Sequence, residues 1–410
     1  MTVDSGLDQL LLLGARPLAG RRFALLAHGA AVSSSLVPVH LTLVDPEDPD
    51  PYPPALLIGP EHGFYGVEQD MIPAAGGTDP WTGAPIASLY GDSADSLRPD
   101  PALFDEVDLL VIDLQDVGSR YYTYAATAVW AAEAALAAGR EVWVLDRPNP
   151  LGGERVEGAL VRPGFESFVG AFALPVRHGL TLGELVRLEA GRRGWPEGLT
   201  DWRMSGWERA AIWEEIRYGW IAPSPNMPTA ETAYLYPGLC LLEATSFSEG
   251  RGTTRPFRLV GAPGVDPVRL WRHLEDRLES GAGVAAVPCY FRPQFQKHAG
   301  EVCGGIELKV TDPRELRPYR LGVELLAVLA EVAPDAFAWR DAPYEFVTDR
   351  PAIDLLTGSA DFRHALESGR GLDAWIESWR QDEAAFLEER RPALLYPEPG
   401  EVGGSYGQVR

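Results

Sequence analysis

Three short stretches crowd ionisable side chains beside glycine or proline: Glu61-His62 in PEHGF, Asp116 with Arg120 and Tyr122 in QDVGSRYY, and Asp146-Arg147 with Asn149 in DRPNP. Two carboxyl groups held near each other are the equipment of general acid and base catalysis. Arginine beside them offers a planar cation that pairs with a carboxylate or phosphate through two parallel bonds. A fourth group is Arg177-His178-Gly179, and a fifth is the run SEGRGTT with Glu249 and Arg251. Glycine between such side chains lets the backbone approach a ligand closely. Each group also has an ordinary explanation. Polar residues after strands cap helices or shape turns, Asp146-Arg147 and Glu249–Arg251 are possible ion pairs, and His62 and His178 are possible hydrogen-bonded loop residues. The joint pattern carries more weight than any single member.

The first three groups each follow a short apolar run: 55–59 (ALLIG), 107–114 (VDLLVIDL) and 141–146 (EVWVLD), with 23–27 (FALLA) upstream. Continuous rather than alternating apolar runs predict strands covered on both faces, as in a parallel sheet. The Ala-rich stretch 124–140 between the last two predicts a helix, so the segment is a βαβ unit. Ligands bind beyond the carboxyl ends of strands in such sheets, which would gather the polar groups into one crevice. A further helix is expected over 181–192, where Thr181 and Glu184 have capping-box spacing. Prolines then crowd from 223 to 237, and a boundary is expected near residue 230. This divides the chain into a doubly wound α/β domain, 1–230, and a smaller α+β domain, 231–410. The second is expected to hold a strand-and-loop segment over 232–254, a helix at 267–279 and a strand at 305–311. A helix at 321–332, terminal helices around 374–389 and a loosely ordered acidic tail after Tyr396 complete it. If the SEGRGTT loop faces the crevice, the site lies between the two domains.

Composition narrows the chemistry. The chain has 410 residues and 36 Lys+Arg against 59 Asp+Glu, a formal charge of −23. Such a field repels nucleic acid and anionic membrane surfaces. Three widely spaced cysteines without a CxxC pair argue against a disulfide framework or zinc site and fit a reducing compartment. The N-terminus carries no signal-peptide pattern and no stretch reaches membrane-spanning length. A soluble cytoplasmic chain is therefore expected, with export left open and the oligomeric state unread. GxGxxG and the phosphate-binding GxxxxGK[ST] are absent, so no nucleotide cofactor is expected. HExxH is absent too, and adjacent Glu61 and His62 would face opposite ways in an extended chain, so no metal is expected. There is no GxSxG elbow for a serine hydrolase. What remains is a crevice of carboxylates, His, Arg and Tyr, with Trp81, Trp207, Trp213 and Trp220 in the same half. That combination suits glycoside chemistry, although most of these tryptophans are expected in the core.

Longer strings then fall into a pattern: IGPEHGFYG, SLYG, IDLQDVGSRYYTY, VLDRPNPLGGERVEG, RHGLTLGEL, PSPNMPT, YPGLCLLEATSFSEGRGTTRPF and CGGIELKVTD. In this order they resemble the exo-β-N-acetylmuramidase NamZ family, formerly DUF1343, from about residue 20 to the C-terminus. The resemblance implies a Rossmann-like N-terminal domain, an auxiliary C-terminal domain and a site at their junction. It implies release of N-acetylmuramic acid (MurNAc) from non-reducing ends of peptidoglycan fragments, without metal or nucleotide. MurNAc-terminated muropeptides are then the expected partner. Carried onto this chain, it makes Glu61 the first choice for the catalytic carboxylate. His62, Asp116, Arg120, Tyr122, Asp146, Arg147, Asn149, His178, Glu249 and Arg251 become expected site residues. Two departures bear on substrate preference: His28-Gly29 replaces an Asn-containing loop, and Ala244-Thr245-Ser246 replaces Gly-Thr-Asn.

The chemistry of MurNAc assigns roles. Its lactyl carboxylate requires a local guanidinium, for which Arg120, Arg147 and Arg251 are candidates, with Arg251 ranked last. Protonating the leaving oxygen requires an acid whose surroundings favour its neutral form, the role given to Glu61. Asp116 is the expected partner that activates water or stabilises the oxocarbenium-like transition state, with Tyr122 or His178 orienting it. Retaining, inverting and substrate-assisted routes stay open. The competing readings are a non-catalytic muropeptide-binding protein and a nicotinamide-dependent enzyme, the latter weakened by the missing glycine fingerprint.

Overall fold

The computed structural model describes residues 1–44, 51–69 and 71–398. Seven strands form the larger sheet: β1 (Phe23–Ala27), β2 (Leu56–Gly59), β3 (Gly77–Thr78), β4 (Pro85–Ser88), β5 (Leu109–Asp113), β6 (Glu141–Leu145) and β7 (Leu199–Trp202). Their order is β3-β4-β2-β1-β5-β6-β7, and every pairing is parallel except β3 with β4. The chain direction across the sheet reverses between β1 and β5, which are paired from Phe23↔Leu109 to Ala27↔Asp113. Crevices form at such reversals in doubly wound sheets.

The apolar runs are buried on both faces because successive residues enter different cores. Ala24 and Leu26 of β1, with Leu110 and Ile112 of β5, join one cluster; Phe23, Leu25, Leu109 and Val111 join another. Helices α1 (Gly6–Leu12) and α2 (Val39–Thr42) contribute to the second cluster. Helices α3 (Tyr124–Ala137) and α4 (Leu182–Arg193) contribute to the first. The expected strands and these two longer helices fall within a few residues of their sequence bounds. Thr181 and Glu184 form the capping box at α4, and left-handed Gly194 ends it.

Residues 232–254 differ from expectation. The strand-and-loop segment is instead α5 (Ala230–Leu239) running into a 3-10 turn at Cys240–Ala244. Tyr, Leu and Pro237 read as strand and loop, and burial on nearly every side removed the helical period that would have identified it. Helix α5 packs against α7 (Pro318–Val332), with α6 (Pro267–Glu275) preceding it. The α5–α7 contact needs glycine on both sides. A Cβ on Gly238 would lie 1.9 Å from the Pro318 carbonyl oxygen, and one on Gly322 would lie 2.3 Å from that of Gly238.

The smaller sheet is antiparallel, with order β8-β10-β9, from β8 (Leu259–Ala262), β9 (Val284–Phe291) and β10 (Cys303–Val310). Helices α8 (Ala352–Thr357), α9 (Asp361–Ser368) and α10 (Leu372–Arg390) then return to the first layer. There Asp382 accepts from Leu160 and Arg162, and the Tyr396 hydroxyl donates to Asp146 at 2.7 Å. One hydrophobic cluster accordingly spans Val3 to Tyr396 and joins both halves. Most of the acidic tail, 399–410, lies outside the described residues.

Candidate active site

The loop after β2, the segment before α3 and the turn at 224–227 meet the C-terminal half around a narrow notch of about 40 Å³. From the first half come Glu61, His62, Tyr122, Thr123, Ser224 and Asn226; from the second come Tyr236, Glu243, Arg251, Phe257, Tyr344 and Glu345. The SEGRGTT loop does face the crevice.

Glu61 is buried and accepts a hydrogen bond from the Thr123 hydroxyl at 2.6 Å. The next residue, His62, has φ of 69°, a left-handed conformation that is rare outside glycine. Its Nδ1 lies 2.9 Å from the Glu68 carbonyl, so Nδ1 carries the proton. The turn therefore presents Glu61 and His62 together. Tyr122, Tyr236 and Tyr344 supply hydroxyls, and burial holds their pKa values well above the usual tyrosine range. They stay neutral donors at physiological pH.

Arg251, ranked last on sequence, is the one of the three candidate arginines that lines the notch. It meets Glu243 at 2.9 Å and Glu249 at 3.5 Å, with its guanidinium over the Phe257 ring at 4.9 Å. Burial would push the Glu249 carboxyl up, but the charges of Lys297, at 2.9 Å, and Arg251 bring it below its usual value. Glu249 therefore anchors the wall behind Arg251.

The other two arginines are engaged elsewhere. Arg120 donates to the carbonyls of Ala159, Leu174 and Leu356 at 2.6–2.7 Å, fastening α8 to the first half. Arg147 grips Asp113 with two bonds at 2.5 and 2.8 Å and donates to the Tyr218 hydroxyl at 3.0 Å. Both are buried, and neither lines the notch. Asp146 accepts from Gly183 and Tyr396, and burial raises its pKa to about 7. It fixes the start of α4 and the C-terminal segment. Asn149 bonds the Leu180 carbonyl and the Leu151 amide, shaping the loop. Its side chain fits because residue 118 is glycine, where a Cβ would lie 2.2 Å from Asn149 Oδ1.

Asp116, expected as the partner carboxylate, does not line the notch. It accepts from the Gly118 amide at 2.7 Å and lies 3.7 Å from Nε2 of fully buried His178. Besides Glu61, the carboxylates that line the notch are Glu243 and Glu345, neither singled out from sequence. Ser224, Asn226, Tyr236 and Glu243 lie inside strings that stood out, PSPNMPT and YPGLCLLEA, whereas Glu345 lies in none.

At the sheet reversal, His28 directly follows the end of β1. Its Nε2 accepts the Gln115 amide at 2.9 Å, and its ring packs edge-on to Tyr124. Burial, with the Arg147 charge next, lowers its pKa to about 3. Trp207 and Trp213 are core residues, while Trp81 is 64% exposed beside Tyr65 and His40. Among the described residues no group of three or more His, Cys, Asp or Glu side chains is placed to hold a metal ion, and no helix is long and apolar enough to cross a membrane.

Two family models match: Exo-beta-N-acetylmuramidase NamZ, N-terminal, over residues 23–231, and its C-terminal counterpart over 234–396. Peptidoglycan beta-N-acetylmuramidase NamZ of Bacillus subtilis (strain 168) is 37% identical over 396 residues, which is 96% of this chain and 91% of that protein. Two crystal structures of DUF1343 family proteins from Bacteroides fragilis NCTC 9343 share the fold. The first has a TM-score of 0.83 at 29% identity, covering 96% of this chain and 99% of the other. The second has a TM-score of 0.72 at 26% identity, covering 97% and 100%.

Proposed function

The chain belongs to the exo-β-N-acetylmuramidase NamZ family, and on that footing we infer that it is a glycosidase releasing MurNAc from the non-reducing ends of peptidoglycan fragments. Its place is in cell-wall turnover or recycling. The observation that carries the reading is Glu61, buried at the notch and bonded to Thr123, in the same lining as Arg251.

In this reading Glu61 gives a proton to the leaving glycosidic oxygen, water supplies the new bond at the anomeric carbon to give free MurNAc, and Thr123 fixes the carboxyl's orientation. Arg251 pairs with the lactyl carboxylate. A chain of charge −23 exerts no long-range pull on that anion, so recognition falls to a cation within the notch. His62 and the neutral hydroxyl of Tyr122 contact sugar polar groups. Asp116 and His178 are positioning residues beside Tyr122, and Glu249 positions Arg251. Arg120, Asp146, Arg147 and Asn149 hold the loops that form the walls. Residues 1–230 serve as the catalytic domain, and 231–410 as the auxiliary domain that completes the cleft.

Product analysis on a MurNAc-terminated disaccharide beside its GlcNAc-terminated counterpart tests the reading. Free MurNAc from the first and no cleavage of the second are expected. Binding of the first without any product would replace the enzyme with a binding protein.

A further inference from the structure

Action confined to a chain end requires the enzyme to detect something that only the terminal sugar has. In a 1,4-linked glycan that feature is the free 4-hydroxyl. An interior sugar carries the next residue on that oxygen, so it offers no donor there and adds bulk. A detector must therefore accept a hydrogen bond and stand where the glycan would otherwise continue. On this basis, and resting on the glycosidase reading, we propose that Glu345 restricts cleavage to chain ends by accepting the 4-hydroxyl of the terminal sugar.

Glu345 lines the notch and is buried. It occupies a two-residue turn closed by reciprocal bonds between Tyr344 and Val347, at 3.0 and 2.9 Å. Both central residues are left-handed, with φ of 45° at Glu345 and 66° at Phe346. Asn-Gly ordinarily fills such a turn, because other side chains are strained in that conformation. Strained backbone of this kind gathers at functional sites, where surrounding contacts hold it.

Those contacts come from both halves of the molecule. The Tyr90 hydroxyl donates to Glu345 Oε2 at 3.2 Å, and the Tyr90 ring packs on Phe346 with centroids 5.7 Å apart. On the other side, the Tyr344 hydroxyl donates to Glu243 at 2.7 Å. A turn clamped in this way acts as a wall as well as an acceptor. The other notch carboxylates have different work: Glu61 is bonded to Thr123, and Glu243 pairs with Arg251 at 2.9 Å. Glu345 thus supplies a carboxylate on a rigid wall, contributed by the half opposite Glu61.

The test compares a chromogenic β-MurNAc glycoside with its 4-deoxy analogue, using the wild type, Glu345→Gly and Glu345→Gln. Glycine adopts the turn without strain, which offsets part of the lost Tyr90 bond, so Glu345→Gly removes the side chain while the protein stays folded, as circular dichroism verifies. The wild type is expected to lose roughly 10–100-fold in kcat/KM on the 4-deoxy substrate. Glu345→Gly is expected to lose as much on the parent substrate and to suffer no further loss on the analogue. Glu345→Gln, which keeps the shape, should show a smaller loss and a reduced penalty for the missing hydroxyl. An equal 4-deoxy penalty in all three proteins, or none in the wild type, overturns the assignment. A wild type inactive on both glycosides overturns the glycosidase reading itself, a result distinct from either.

Discussion

Thr123 donates its hydroxyl to Glu61 at 2.6 Å. The bond joins the loop after β2 to the residue just ahead of α3, so two separate strand–loop connections share control of one carboxyl group. A bond to a neutral carboxyl contributes about 0.5–1.5 kcal/mol, which equals roughly a 2–10-fold rate effect when orientation is what it secures.

Replacing Thr123 with Val removes the hydroxyl at nearly constant volume. The expected result is a roughly 2–10-fold fall in kcat with little change in KM, from about 0.5–1.5 kcal/mol for such a bond. Thr123→Ser should keep most of the activity. A valine variant with wild-type kcat would show that the bond positions nothing.

Arg251→Lys keeps the charge that Glu243 and Glu249 need but loses the planar fork. Affinity for MurNAc, measured by calorimetry, should fall at least about tenfold while affinity for GlcNAc changes little. Equal losses for both sugars would separate Arg251 from the lactyl group.

Arg147 and Arg120 make the opposite prediction. Arg147→Ala leaves Asp113 buried without its partner, at a cost of about 3–5 kcal/mol in urea unfolding. The folded fraction should retain the wild-type KM. Arg120→Met should behave likewise through its three abandoned carbonyls. A raised KM at unchanged stability would return either residue to the site.

These arginines mark the limit of what the sequence made legible. Runs such as FALLA and LLVID, buried at every position, specified parallel strands because their shortness and the glycines and prolines that follow suit a strand covered on both faces better than a buried helix. The strand ends then located Glu61 and the region of the notch. A guanidinium that meets carbonyls and one that meets a ligand look alike in sequence, however, so Arg120 and Arg147 ranked above Arg251, the one that lines the notch. Helix α5 was hidden by Pro237 and by burial all round. Glu345 gave no signal, since only the docking of its turn on Tyr90 brings it to the notch.

His28 gives the fold a defined pH dependence. Its folded pKa of about 3 lies below the usual 6.5. Between those values the unfolded chain binds a proton that the folded chain does not, so stability from neutral His28 is full above about pH 6.5 and is lost as pH falls toward 3. Asp146 and Glu157, both raised to about 7 by burial, have the opposite slope between about pH 4 and 7. Comparing wild type with His28→Gln cancels their contribution. The stability difference should shrink on acidification from pH 6.5 to 4, by about 1.4 kcal/mol per unit at most. A difference that stays constant across that range contradicts the assignment.

The most direct measurement is turnover of a chromogenic β-MurNAc glycoside by Glu61→Gln, with circular dichroism to verify folding. The account predicts a folded protein whose kcat falls on the order of 10³-fold, because the amide cannot deliver the proton. A folded Glu61→Gln variant with near-wild-type turnover would contradict it.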